Sequence, residues 1–232
     1  DNDDDNNNNN NYNTQGTLRF AHRDAEGHWN LEKVDDIKYP EVSAYTGIGR
    51  DQQGTLHISY SNETAVMHAQ KQWNENAWEP GVVFDTVDNG TVGVGTGLGV
   101  QTNGKVHSAF TIWNNPTTNS ATELHHALYS SGGWETEIVQ NDDKSNGLRL
   151  PRIVIDQGNL VHLAFLYDPD GNEPINTLRY ATNRSGEWKL YDVDDDNEDI
   201  SHSYLAVDKS GTPYLVYIDG ATNTLKFAKG KL

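Results

Sequence analysis

The chain has 232 residues, 34% of them hydrophobic, and its 34 acidic against 17 basic side chains give a formal charge of −17. Such a charge repels phosphate backbones and anionic lipid, so nucleic acid is excluded as a partner and membrane insertion is not expected. No cysteine is present, which rules out disulfide and thiolate chemistry, and no apolar run is long enough to cross a bilayer as a helix.

Residues 1–16 begin as an uninterrupted run of aspartates and asparagines from Asp1 to Asn11. With almost no apolar area to bury, this tract is expected to be a disordered tether. It resembles the flexible segment next to the cleavage site of exported bacterial proteins and surface lipoproteins. That resemblance implies a secreted, periplasmic or cell-surface location.

From residue 17 to 232 the sequence reads as one all-β domain built on two alternating elements. The first is Leu-x-aromatic-Ala, as in Leu18-Arg19-Phe20-Ala21, Leu178-Arg179-Tyr180-Ala181 and Leu225-Lys226-Phe227-Ala228. Looser copies are Val66-Met67-His68-Ala69 and Leu124-His125-His126-Ala127. Seven to nine residues after the first four alanines stand Trp29, Trp78, Trp134 and Trp188. The second element is a polar turn between two short strands: Asp51 to Gly54, Gln101 to Gly104, Asp156 to Gly158 and Asp208 to Gly211. Apolar residues alternate with small or polar ones in the strand after each turn, the mark of half-buried hairpin strands.

Four short strands in each period of about 50 residues are the signature of a β-propeller blade. Four turn-hairpins predict four blades; the fifth Leu-x-aromatic-Ala strand leaves five as the alternative. In the four-bladed reading the Trp29–Val34 strand completes the C-terminal blade, so that strands from both termini close the ring and hide its edge.

The segments Arg23 to Trp29 and Asn183 to Trp188 resemble the Asp-box turns of sialidase-like and other exported bacterial propellers. Sialidases as a family imply six blades, an arginine triad and a tyrosine–glutamate nucleophile pair. This chain, with seven arginines, offers no residue-by-residue match to that site. Small lectin propellers, which are similar in size and non-catalytic, are the nearer resemblance.

No nucleophile elbow or zinc-protease motif is present. The alternating Gly93, Gly95, Gly97 and Gly99 are read as places of close backbone approach rather than a phosphate loop. His57, His107 and His162 occupy equivalent repeat positions, and packing is their expected role. Asp168 to Glu173 and Asp192 to Asp199 gather oxygen ligands on loops, so calcium is the only cofactor the sequence allows for, and none is required.

One asymmetry points to a site. Aligned on their glycine turns, the innermost strands place Tyr45, Gly95, Leu150 and His202 in one ring, with Gly47, Gly97, Arg152 and Tyr204 in the next. Two repeats are nearly bare there; the other two carry Arg152, Tyr204 and His202, with Arg149 nearby. These four and Tyr45 are the candidate ligand-binding residues, lining one mouth of the axis, and no catalytic residue is assigned. The expected function is lectin-like binding of a glycan or another small acidic or neutral ligand. A glycan hydrolase or lyase and a non-catalytic adhesion propeller are the alternatives.

Overall fold

The computed structural model describes residues 15–38, 45–62, 64–86, 91–115, 120–130, 133–143, 147–169, 177–195 and 199–231. The Asp/Asn tract up to Asn13 and most of the Asp168–Glu173 loop lie outside them. The described residues form seventeen antiparallel strands in five sheets and no helix.

The first sheet is a hairpin of β1 (Gln15–Arg23) and β2 (Trp29–Lys38). The second holds β3 (Gly47–Arg50), β4 (Thr55–Asn62), β5 (Ala65–Gln72) and β6 (Glu79–Asp85), in that order. The third is β7 (Thr91–Val100), β8 (Val106–Asn115), β9 (Ser120–Ser130) and β10 (Gly133–Asp142). The fourth is β11 (Leu148–Ile155), β12 (Val161–Tyr167), β13 (Thr177–Thr182) and β14 (Lys189–Asp194). The fifth has three strands, β15 (Ile200–Val207), β16 (Pro213–Asp219) and β17 (Thr224–Lys229). Every Leu-x-aromatic-Ala segment is the third strand of a full sheet or its counterpart, and every polar turn joins a first strand to a second.

Four apolar clusters fasten neighbouring sheets. Phe20 and Val34 of the first sheet pack with Leu56 and Ile58 of the second and with Trp78 just before β6. Val66 and Val83 meet Phe110 and Ile112 of the third. Ala109 and Leu124 meet Ile153, Leu163 and Phe165 of the fourth. Ala164, Leu166 and Leu178 meet Ile200 and Leu215 of the fifth. In β4 and β12, second strands of sheets that have a neighbour on either side, every residue but the last is buried. Fourth strands are the wettest, as in β14.

The expected closure is not formed among the described residues. Trp29 to Val34 belongs to β2, which pairs with β1 from Trp29 opposite Arg23 to Lys38 opposite Gln15, and not with β17. A tight turn explains the choice: Asp24 accepts Gly27 N–H through its carbonyl at 3.2 Å and His28 N–H through its carboxylate at 2.7 Å. A local hairpin loses far less chain entropy than a pairing between distant ends. The strand that is surplus in a four-bladed count is therefore half of a separate first sheet.

Candidate ligand-binding face

Innermost strands β3, β7, β11 and β15 contact one another in sequence. Three of them are interrupted at the same level: pairing with the second strand shifts between Val92 and Thr96, Arg149 and Arg152, and Ile200 and Ser203. Each bulge contains a member of the ring read from the sequence, namely Gly95, Leu150 or His202. A bulge re-aims the side chains beside it. Gly95 has φ +91° and Leu150 has φ 51°, the left-handed region that a leucine enters at a cost of about 1 kcal/mol. A Cβ on Gly95 would lie 3.2 Å from Tyr45 Cβ, so the bare position gives Tyr45 its seat.

Arg152 stands just past the bulge of β11 and is half-buried. Its guanidinium carbon lies 5.5 Å from the ring centre of Tyr45 and 5.7 Å from that of Tyr204. Its Nε donates to the Ser203 carbonyl at 3.2 Å. Tyr45 before β3 and Tyr204 of β15 thus converge on the Arg152 guanidinium of β11. Tyr204 keeps 66% of its surface exposed, leaving an aromatic ring open to solvent and backed by a charge. His202 is exposed beside it, with Nδ1 3.1 Å from Ser201 Oγ rather than joined to the arginine. Arg149 lies across the bulge, half-buried and in register with Leu166.

The equivalent histidines are used inside their own sheets. Turn aspartates Asp51, Asp156 and Asp208 accept the N–H of Thr55, Leu160 and Thr212 with one oxygen, at 2.7, 2.9 and 2.9 Å. The other oxygen faces the residue six positions on: His57 Nε2 at 3.6 Å, His162 Nε2 at 3.3 Å and the Tyr214 hydroxyl at 2.9 Å. The path continues into the third strand. His57 Nδ1 is 3.1 Å from His68 Nε2, His107 Nδ1 is 2.8 Å from His126 Nε2, and His162 Nδ1 is 2.6 Å from the Tyr180 hydroxyl. In the third sheet Gln101 replaces the aspartate and donates to the Asn159 carbonyl at 3.2 Å instead.

Burial lowers the pKa of these imidazoles. His68 falls to about 4, with the neighbouring His57 adding to the effect. His107 falls to about 3, with His126 and Lys105 adding. Burial also lowers His57, His126 and His162, against the opposing pull of Asp51, Glu137 and Asp156. They are neutral interior groups at pH 7. Sequence reasoning missed the pairing of second-strand with third-strand histidines, although His68 and His126 stand at the aromatic position of the repeat and could have signalled it.

A second concavity lies between the fourth and fifth sheets. It is a cleft of about 490 Å³ walled by Tyr180, Tyr191, Leu215 and Ala228 and edged by Lys189 and Lys229. None of the five candidate binding residues lines it. Among the described residues, no group of three or more His, Asp or Glu side chains is placed to hold a metal ion.

No protein-family model matches this chain, and no curated protein does either. Solved structures do resemble it. A mutant of NanB sialidase from Streptococcus pneumoniae superposes with a TM-score of 0.59 at 11% identity, over 91% of this chain and 34% of that one. The leech intramolecular trans-sialidase gives 0.58 at 16% identity, over 93% of this chain and 36% of the other. An α-L-arabinanase from Penicillium chrysogenum, complexed with arabinobiose, gives 0.58 at 11% identity, over 95% and 69%. The chain spans about a third of the length of each sialidase. At these identities the likeness carries the fold alone: an all-β, sialidase-like propeller architecture.

Proposed function

We propose that this protein is a carbohydrate-binding propeller acting outside the cytoplasm, with residues 1–16 as its tether and residues 17–232 as a single domain. The observation that carries the reading is the Tyr45–Arg152–Tyr204 stack, which offers a solvent-exposed aromatic face beside a fixed cation. Sugar C–H faces pack on aromatic rings, and a guanidinium donates in a planar fork to a carboxylate or to paired hydroxyls. In a chain of charge −17, a local cation favours an acidic glycan. His202 and Arg149 extend the proposed face. Similarity to the sialidases and the arabinanase supports a carbohydrate ligand and makes hydrolysis the second reading.

A glycan array with subsequent product analysis tests this. Binding without turnover is the expected outcome; reducing ends or unsaturated sugars among the products favour the enzyme. Arg152→Ala should weaken the best hit by about 1–3 kcal/mol, as for a lost charge-assisted hydrogen bond, with the circular dichroism unchanged. If stability falls while binding holds, Arg152 is a structural plug and the proposed site is wrong.

A further inference from the structure

Where the polar turns meet, the seams between sheets are not alike. Between the third and fourth sheets Gln101 reaches across and donates from Nε2 to the Asn159 carbonyl at 3.2 Å, with Thr102 Oγ1 3.5 Å from Asn159 Oδ1. Between the second and third sheets the equivalent residue is Asp51, one methylene shorter, and its carboxylate faces His57 of its own sheet instead. A Cβ on Gly104 of the next turn would lie 3.9 Å from Asp51 Oδ2, so this carboxylate stands at the seam. A pocket of about 290 Å³ opens there, with Asp51, His57, Gln70 and Glu79 on one side and Gly104 and Tyr129 on the other. Both sheets lie inside the array, each packed against a further neighbour.

The inner part of this pocket is short of donors. The Asp51 and His57 side chains are 8% and 5% exposed. Asp51 Oδ1 accepts Thr55 N–H at 2.7 Å, but Oδ2 is 3.6 Å from His57 Nε2, beyond hydrogen-bond reach. His57 Nε2 is buried and has no hydrogen-bond partner. With Nδ1–H donating to His68 Nε2 at 3.1 Å, Nε2 presents a lone pair. Carboxylate and imidazole are then two buried acceptors that one N–H cation could serve together. At the rim, Glu75 and Glu79 each hold one oxygen on a neutral donor, Gln72 N–H at 3.2 Å and Gln70 Nε2 at 3.3 Å. Lys71, the lining cation, is engaged by Glu32 at 2.5 Å. Among the described residues, no three of these carboxylates and imidazoles are placed to hold a metal ion.

We infer that this seam is a second binding site, separate from the Arg152 face, which takes a small polar ligand through a primary ammonium group. The ammonium donates to Asp51 Oδ2 and His57 Nε2 in charge-assisted hydrogen bonds, and the Tyr129 ring flanks it. The amides of Gln70 and Gln72 are left to meet hydroxyls, and the volume is at the small end of ligand sites, so the occupant is an amino sugar. The two sites have opposite preferences: the seam carries three carboxylates and repels the acidic ligand that Arg152 attracts.

Calorimetry with D-glucosamine, N-acetylglucosamine and Nα-acetyl-lysine amide tests the inference. Glucosamine should bind, and acetylation, which removes the charge, should weaken it by about tenfold or more, as for a lost charge-assisted hydrogen bond. Asp51→Asn, which still accepts Thr55 N–H, should weaken glucosamine by a similar factor with an unchanged melting temperature, and so should Glu79→Gln by a smaller one. Glucosamine should also shift the His57 ring nitrogen resonances. Arg152→Ala should leave glucosamine binding unchanged, so the seam stands or falls apart from the Arg152 face. Equal binding of the two sugars, or no binding of glucosamine, overturns the site. So does an Asp51→Asn protein that binds as the wild type does. A lysine amide that binds as tightly as glucosamine overturns the assignment to an amino sugar.

Discussion

In the second sheet, Asp51, His57 and His68 run from the turn through the second strand to the third, and Trp134 of the next sheet closes over His68 at 5.2 Å. In the fifth sheet, Asp208, Tyr214 and Phe227 trace the same path. The Tyr214 hydroxyl meets Asp208 at 2.9 Å and its ring lies 6.1 Å from Phe227. Yet His68 is 4% exposed and Phe227 is 65% exposed. Equivalent positions thus differ in fate because of the neighbouring sheet: the second sheet has a successor, and the fifth has none among the described residues. In a repeat array, burial belongs to the interface between units.

The largest effect should come from breaking a filled interface. Trp78 is 9% exposed, packs edge-on against Phe20 and donates its indole N–H to Glu32 at 3.2 Å. Trp78→Ala should cost about 3–5 kcal/mol, the usual range for emptying a buried aromatic site, read from chemical denaturation. A loss below about 1 kcal/mol would mean that the first sheet contributes little to the fold.

Acid should separate the two sheets next. Histidines whose pKa is lowered in the folded state bind fewer protons there than in the unfolded chain. Their contribution is therefore complete above the unfolded value of 6.5 and is lost as pH falls through the folded values of about 4 for His68 and about 3 for His107. A fall on the order of 3 kcal/mol from His68 alone is expected between pH 6.5 and 4, at about 1.4 kcal/mol per unit. His68→Phe, which copies the aromatic found in the fifth sheet, should flatten that part of the profile. An unchanged slope would show that carboxylates, not histidines, set the acid limit.

A smaller effect tests the turn. Asp156 accepts the N–H groups of Gly158 and Leu160 at 2.8 and 2.9 Å and faces His162 Nε2 at 3.3 Å. Asp156→Ala should cost about 1–2 kcal/mol, since these donors lose a charged acceptor, and it should lower the His162 pKa, as an NMR titration would show. Smallest of all is Trp29→Ala, at the same repeat position as Trp78 but 68% exposed. In dilute solution it should change stability by less than about 0.5 kcal/mol. A larger loss would place Trp29 in a contact within its own chain.

The sequence by itself determined what is local or periodic. The turns at Asp51, Asp156 and Asp208, the third strands carrying the repeat alanine, and the equivalence of His57, His107 and His162 come from short-range patterning, because a hairpin needs only its own residues to choose a register. Patterning also marked the level on the inner strands at which Tyr45, Arg152 and Tyr204 meet, since alternate residues of a strand share a face. Tertiary structure alone decided which partners those groups found. Nothing within the Trp29–Val34 segment says whether it pairs with β1 or β17, and that choice rests on the entropy of closing a short turn against a long loop. His68 could be placed on its strand, but not beside His57, because the distance between their ring nitrogens depends on how two strands pack. The cleft beside Tyr180 was invisible for the same reason: it is shaped by how the fourth and fifth sheets meet, and the gap between two sheets leaves no mark on the residues that line it.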